Sequence, residues 1–84
     1  MTLGNSPNPL NPMTLIEFNM PKAAHATLRV YDARGRLVAT PVDGMVDAGY
    51  NAVNWDGLGK PSGIYYYQLQ SGDVVTTAKM MLLK

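Results

Sequence analysis

The chain has 84 residues, a formal net charge of +1, 46% hydrophobic residues and no cysteine. That length allows one domain near the lower end of what folds alone, burying roughly 60–65% of its unfolded surface, and the composition is that of a globular chain rather than a disordered one. The charge leaves no electrostatic footprint for nucleic acid or an anionic membrane, the missing cysteines exclude disulfides and thiolate metal sites, and no apolar run reaches the ~20 residues that span a bilayer.

The opening MTLGNS has neither the basic region nor the apolar core of a signal peptide. Gly4–Pro12 (GNSPNPLNP) holds three prolines and three asparagines, which remove donors and favour extended or turn backbone. Residues 1–12 are therefore expected as a linker with a proline-rich lead into a domain over residues 13–84. Thr14–Met20 alternates, with Ile16, Phe18 and Met20 on one face, and Pro21 ends it. Ala26–Tyr31 alternates again, with Ala26, Leu28 and Val30 facing in. The stretch Pro21–Arg29, the nearest helix candidate, contains the β-branched Thr27 and breaks into strand alternation, so no helix is expected there.

Asp32-Ala33-Arg34-Gly35 is a turn, and Leu37–Thr40 is a short strand expected to stop at Pro41. Asp43-Gly44 and Asp47-Ala48-Gly49 are turn signals around a brief Met45-Val46. Tyr50–Trp55 is the next strand, with Val53 and Trp55 on one side, and Asp56–Ser62 is a loop. The last segment, Gly63–Lys84, reads as a hairpin turning at Ser71-Gly72-Asp73, with Tyr65, Tyr67 and Leu69 on one face of its first strand and Ala78, Met80 and Leu82 on one face of its second. About seven short strands with turn chemistry between them predict an all-β chain, an antiparallel β-sandwich or small barrel.

Catalytic chemistry is poorly supplied. His25 is the one histidine and is expected in a solvated turn. The carboxylates are Glu17, Asp32, Asp43, Asp47, Asp56 and Asp73, and all but Glu17 sit at turns, where Asp caps local backbone. Two such loops supply oxygen ligands for a calcium ion, but neither has the D-x-D-x-D-G spacing that defines a site. No cofactor or metal is implied. Trp55, Tyr50, Tyr65, Tyr66 and Tyr67 are candidates for a sugar-stacking platform; in so small a sandwich, however, Trp55, Tyr65 and Tyr67 are expected to supply core area, leaving Tyr66 half exposed.

Five segments in order resemble a known family. PNPLNPMTLIEFNMP (Pro7–Pro21) looks like P-N-P-F-N-P-x-T-x-I-x-F-x-L-P, and LRVYDARGRLVAT (Leu28–Thr40) looks like L-x-V-Y-D-x-x-G-R-x-V-x-x. AGYNAVNWDG (Ala48–Gly57) matches A-G-x-x-x-V-x-W-D-G, SGIYYYQL (Ser62–Leu69) matches S-G-x-Y-x-Y-x-L, and KMMLLK (Lys79–Lys84) is similar to a closing K-x-x-L-x-K strand. The chain thus resembles the type IX secretion C-terminal sorting domains, which are close to the immunoglobulin-like domain of flagellar hook-capping proteins. It departs from them at Leu10, where an aromatic is usual, and in a shorter Trp55–Ser62 loop.

The resemblance implies a small immunoglobulin-like β-sandwich of about seven strands, without catalytic activity, that directs a larger protein across the outer membrane and to the cell surface of a Gram-negative bacterium of the Bacteroidota. Its implied partners are an outer-membrane secretion translocon and the N-terminal cargo domain of the parent protein; a monomer that neither binds nucleic acid nor inserts into the membrane is expected. The candidate recognition strand is Lys79, Met80, Met81, Leu82, Leu83 and Lys84, whose apolar character at a chain end suggests an ordered strand. A carbohydrate-binding module and a structural immunoglobulin-like spacer are the competing readings.

Overall fold

The computed structural model describes residues 1–84 as an all-β chain of seven strands. These are β1 (Thr2–Ser6), β2 (Met13–Met20), β3 (Ala24–Tyr31), β4 (Leu37–Val46), β5 (Gly49–Asp56), β6 (Gly63–Ser71) and β7 (Val74–Leu82). They form two antiparallel sheets, one in the order β1-β2-β5 and one in the order β4-β3-β6-β7. The inward residues of each strand meet between the sheets, as period-two alternation requires. Ile16, Phe18 and Met20 of β2 and Trp55 of β5 face Ala26, Leu28 and Val30 of β3, Tyr65, Tyr67 and Leu69 of β6, and Met80 and Leu82 of β7.

Alternation located the core because each sheet has one face on it and one on solvent. Trp55 is 5% exposed, and its ring packs tilted against Tyr65 with centroids 5.5 Å apart. Phe18, Leu28, Val30, Tyr65 and Tyr67 are buried with it.

Three stretches differ from the sequence reading. β4 does not stop at Pro41 but continues to Val46. Pairs Leu28–Val42 and Val30–Ala39 leave one extra residue on β4 at Thr40-Pro41, a bulge on the outermost strand of its sheet, where a residue with no N–H costs no ladder bond. His25 lies in β3 rather than in a turn, and its Nε2 is 3.1 Å from Asp43 Oδ1 on β4. Residues 1–12, expected as linker and lead, carry β1, which pairs with β2 from Thr2–Asn19 to Ser6–Leu15. They also carry Leu10, fully buried in the core. β1 holds one large apolar side chain in five residues and so shows no alternation, and Leu10 stands alone among prolines with no periodic apolar neighbour, which is why neither was legible.

The turns are built by side chains that hold nearby backbone. Asp32 Oδ1 accepts from the N–H groups of Arg34 and Arg36, and Asp32 Oδ2 accepts from Arg36 Nε at 3.0 Å. The Arg36 amide, with further help from Arg34 and the Arg36 side chain, holds the Asp32 carboxyl below its ordinary value. After β5, Leu58 N–H donates to Asp56 Oδ1 and Lys60 N–H to Gly57 O. Gly63 opens β6 at φ +147, a conformation that side-chain-bearing residues rarely adopt.

Candidate recognition strand

β7 pairs along its whole length with β6, from Ser71–Val74 to Gly63–Leu82, and forms one border of the four-stranded sheet. β7 ends at Leu82, so Leu83 and Lys84 of the expected Lys79–Lys84 strand lie just beyond it, and the candidate residues split into two groups. Met80 and Leu82 point into the core and are essentially inaccessible. Lys79, Met81, Leu83 and Lys84 are exposed, Met81 at 38% and Leu83 at 45%. Cross-strand neighbours of the outward residues are Tyr66, opposite Lys79, and Ile64, opposite Met81. Neither lysine has a carboxylate within ion-pair distance.

The outer edge of β7 is not free along its whole length. Leu10 N–H donates to Met81 O at 2.9 Å and Leu83 N–H donates to Leu10 O at 3.0 Å, a parallel bridge centred on Leu10 and Leu82. Met81 N–H donates to Asn8 Oδ1 at 3.1 Å. Beyond the strand, Lys84 N–H donates to Ser62 Oγ at 3.1 Å. Asn8, Leu10 and Ser62 therefore hold the candidate strand, and none of them was singled out for this from sequence. The available signal was a lone leucine among prolines, which has little reason to be there unless something buries it.

The far end of this strap is fixed at Pro12, whose carbonyl accepts from Gly57 N–H at 2.9 Å. Gly57 has no room for a side chain. A Cβ there would lie 3.0 Å from Leu82 Cδ2 and 3.2 Å from Pro12 O. The glycine after Trp55-Asp56 thus serves a close approach of three segments rather than a turn requiring positive φ.

A part-buried polar chain links the same strap to both sheets. Tyr67 Oη donates to Asn5 Oδ1 at 2.8 Å, Asn5 Nδ2 donates to Thr14 Oγ1 at 3.0 Å, and Thr14 Oγ1 donates to Pro7 O at 3.0 Å. Burial raises the Tyr67 phenol above its ordinary value, since the charged form would lose water without gaining a cation. No buried side-chain nitrogen or oxygen is left without a partner.

The other sequence candidates are scattered. Tyr50 lies on the outer face of β5, and Tyr66 lies on the outer face of the opposite sheet, so the two rings do not share a platform. Partial desolvation by neighbouring groups raises the exposed Tyr50 phenol, with Glu17 adding to the effect. A surface hollow of about 390 Å³ between the Asp32–Arg36 turn and the Lys60–Tyr65 stretch has Asp32 as its one carboxylate, already bound to Arg36. No three His, Asp or Glu side chains come together in a way that holds a cation.

The geometry defines a small β-sandwich whose chemistry lies in strands and edges rather than in a pocket. Residues 6–83 match the family model of the secretion system C-terminal sorting domain, and the chain belongs to that family. No curated protein and no solved structure matches it. Membership implies a sorting signal for type IX secretion, a system of the Bacteroidota that delivers proteins to the medium or the cell surface. Domains of this kind are generally non-catalytic and link a cargo to the secretion machinery.

Proposed function

We propose that this domain is read by an outer-membrane translocon through the exposed side chains at and just beyond the end of its last strand, Lys79, Met81, Leu83 and Lys84, and that it carries an N-terminal cargo domain to the cell surface without catalysing any reaction itself. Met80 and Leu82 are the anchors that hold this strand in register. The observation that carries the reading is the alternation of burial at the end of β7, which turns Lys79 and Met81 to solvent between buried Met80 and Leu82, with Leu83 and Lys84 exposed just beyond the strand.

The test is a reporter that already has a signal peptide, fused ahead of this chain in a host with the type IX machinery. The intact domain should move the reporter across the outer membrane. Lys79→Ala with Lys84→Ala leaves the anchors in place, so the double variant should keep its circular dichroism spectrum yet leave the reporter in the periplasm. An intact domain that never moves the reporter would sink the sorting role and favour a structural spacer. Export unaffected by the double variant would rule out the lysines as the address.

A further inference from the structure

We propose that the outer edge of β7 at Met81–Leu83 is a strand-binding site, occupied within the chain by the strap Asn8–Leu10 and open to exchange with an extended strand of a partner. This rests on the reading of β7 as the strand a secretion partner recognises, and it says how the partner engages it. The strap already shows what the edge accepts. It runs parallel to β7, gives one N–H to Met81 O, takes one from Leu83 N–H, offers the Asn8 side-chain oxygen to Met81 N–H and sends a leucine into the core beside Leu82. A partner strand of the same chemistry would carry an aliphatic residue two positions after a side-chain oxygen acceptor and bind through its main chain.

Two features favour the exchange. Pro7, Pro9 and Pro12 have no N–H, and of the remaining strap residues only Leu10 donates a main-chain bond. Against β7 the strap has only the bonds at Asn8 and Leu10, where β6 pairs with β7 along its whole length, so it opens at a smaller cost than the whole domain while β1 stays laddered to β2. The rest of the edge is ready to extend the site. Alternation turns the main-chain groups of Val75, Thr77 and Lys79 to the same side as those of Met81, and they have no partner there. Once the strap lifts, an incoming strand meets continuous edge from Val75 to Leu83.

The probe is a fluorescent peptide of the strap sequence, SPNPLNPM, titrated by anisotropy into the full chain carrying Leu10→Ala, which vacates the leucine's place. Saturable binding is expected, together with slowed amide exchange at Met81 and Leu83. The unaltered chain should bind on the order of 100-fold more weakly, since its own strap competes at an effective concentration in the millimolar range. A peptide with aspartate in place of its leucine should not bind. Failure of the peptide to bind folded Leu10→Ala chain, or equal binding of the aspartate peptide, overturns the proposal. If Leu10→Ala does not fold, exchange in the unaltered chain decides. Met81 and Leu83 amides should exchange at least roughly tenfold faster than those of Met80 and Leu82, which face β6, and equal protection would show that the strap does not open separately. Neither readout depends on export, so a failed sorting role and a failed strand exchange give different results.

Discussion

Tyr67 and Gly57 show how much one position in this domain carries. Tyr67 crosses the interior to reach Asn5, and through Asn5 and Thr14 it fixes the strap carbonyl of Pro7. Tyr67→Phe removes the donor to the part-buried Asn5 Oδ1, so it should cost about 0.5–1.5 kcal/mol, read from the urea midpoint at neutral pH. The same phenol makes stability depend on alkaline pH. Its folded-state pKa is raised above 10.0, so the neutral form is favoured by folding. That contribution is fully present below pH 10 and is lost as pH rises through the folded value, because the unfolded chain gives up the proton more readily. Urea midpoints from pH 9 to pH 12 should therefore fall less steeply in Tyr67→Phe than in the unaltered chain. Gly57→Ala places a methyl against Leu82 and the Pro12 carbonyl. The leucine can shift, but the carbonyl is backbone, and a cost of about 1–3 kcal/mol is expected from thermal or urea unfolding.

Strands and turns follow local chemistry, and the edges follow long-range contacts. The Asp32 turn, the Gly72-Asp73 hairpin and the inward faces of β2, β3, β6 and β7 were legible because each depends on residues within one short window. Pro41 reads as a strand stop in sequence but does not act as one, because its effect depends on whether its strand lies inside or at the border of a sheet, and that is set by partners far along the chain. Residues 7–12 are the sharper example. Read alone they are a proline-rich lead, but folded they lie beside residues 81–83, more than seventy positions away. Leu10→Ala should cost about 2–5 kcal/mol, as for a leucine in a core, whereas alanine at an exposed linker position would cost almost nothing. Chemical denaturation separates the two outcomes.

At the scale of the whole molecule, stability is concentrated in a core of thirteen buried apolar residues, with Trp55 and Tyr65 in ring contact. Trp55→Ala should cost about 3–5 kcal/mol, a large share of the 5–15 kcal/mol typical of a domain, and a loss of cooperative unfolding by fluorescence-independent probes such as circular dichroism would show it. A change below about 1 kcal/mol would mean that Trp55 is not a core residue. The amino-acid sequence by itself determined the all-β class, the inward face of most strands and the family, because period two, turn residues and ordered motifs are written in neighbouring positions. It also placed a strand over Lys79–Leu82, although that strand ends before Leu83 and Lys84. Only the tertiary structure decided the pairing of strands into sheets of three and four, the separation of Tyr50 from Tyr66 onto opposite faces, and the closing of the β7 edge by Asn8 and Leu10. Those features arise where segments distant in the chain meet, and an edge is covered or left open by whatever the rest of the fold brings to it.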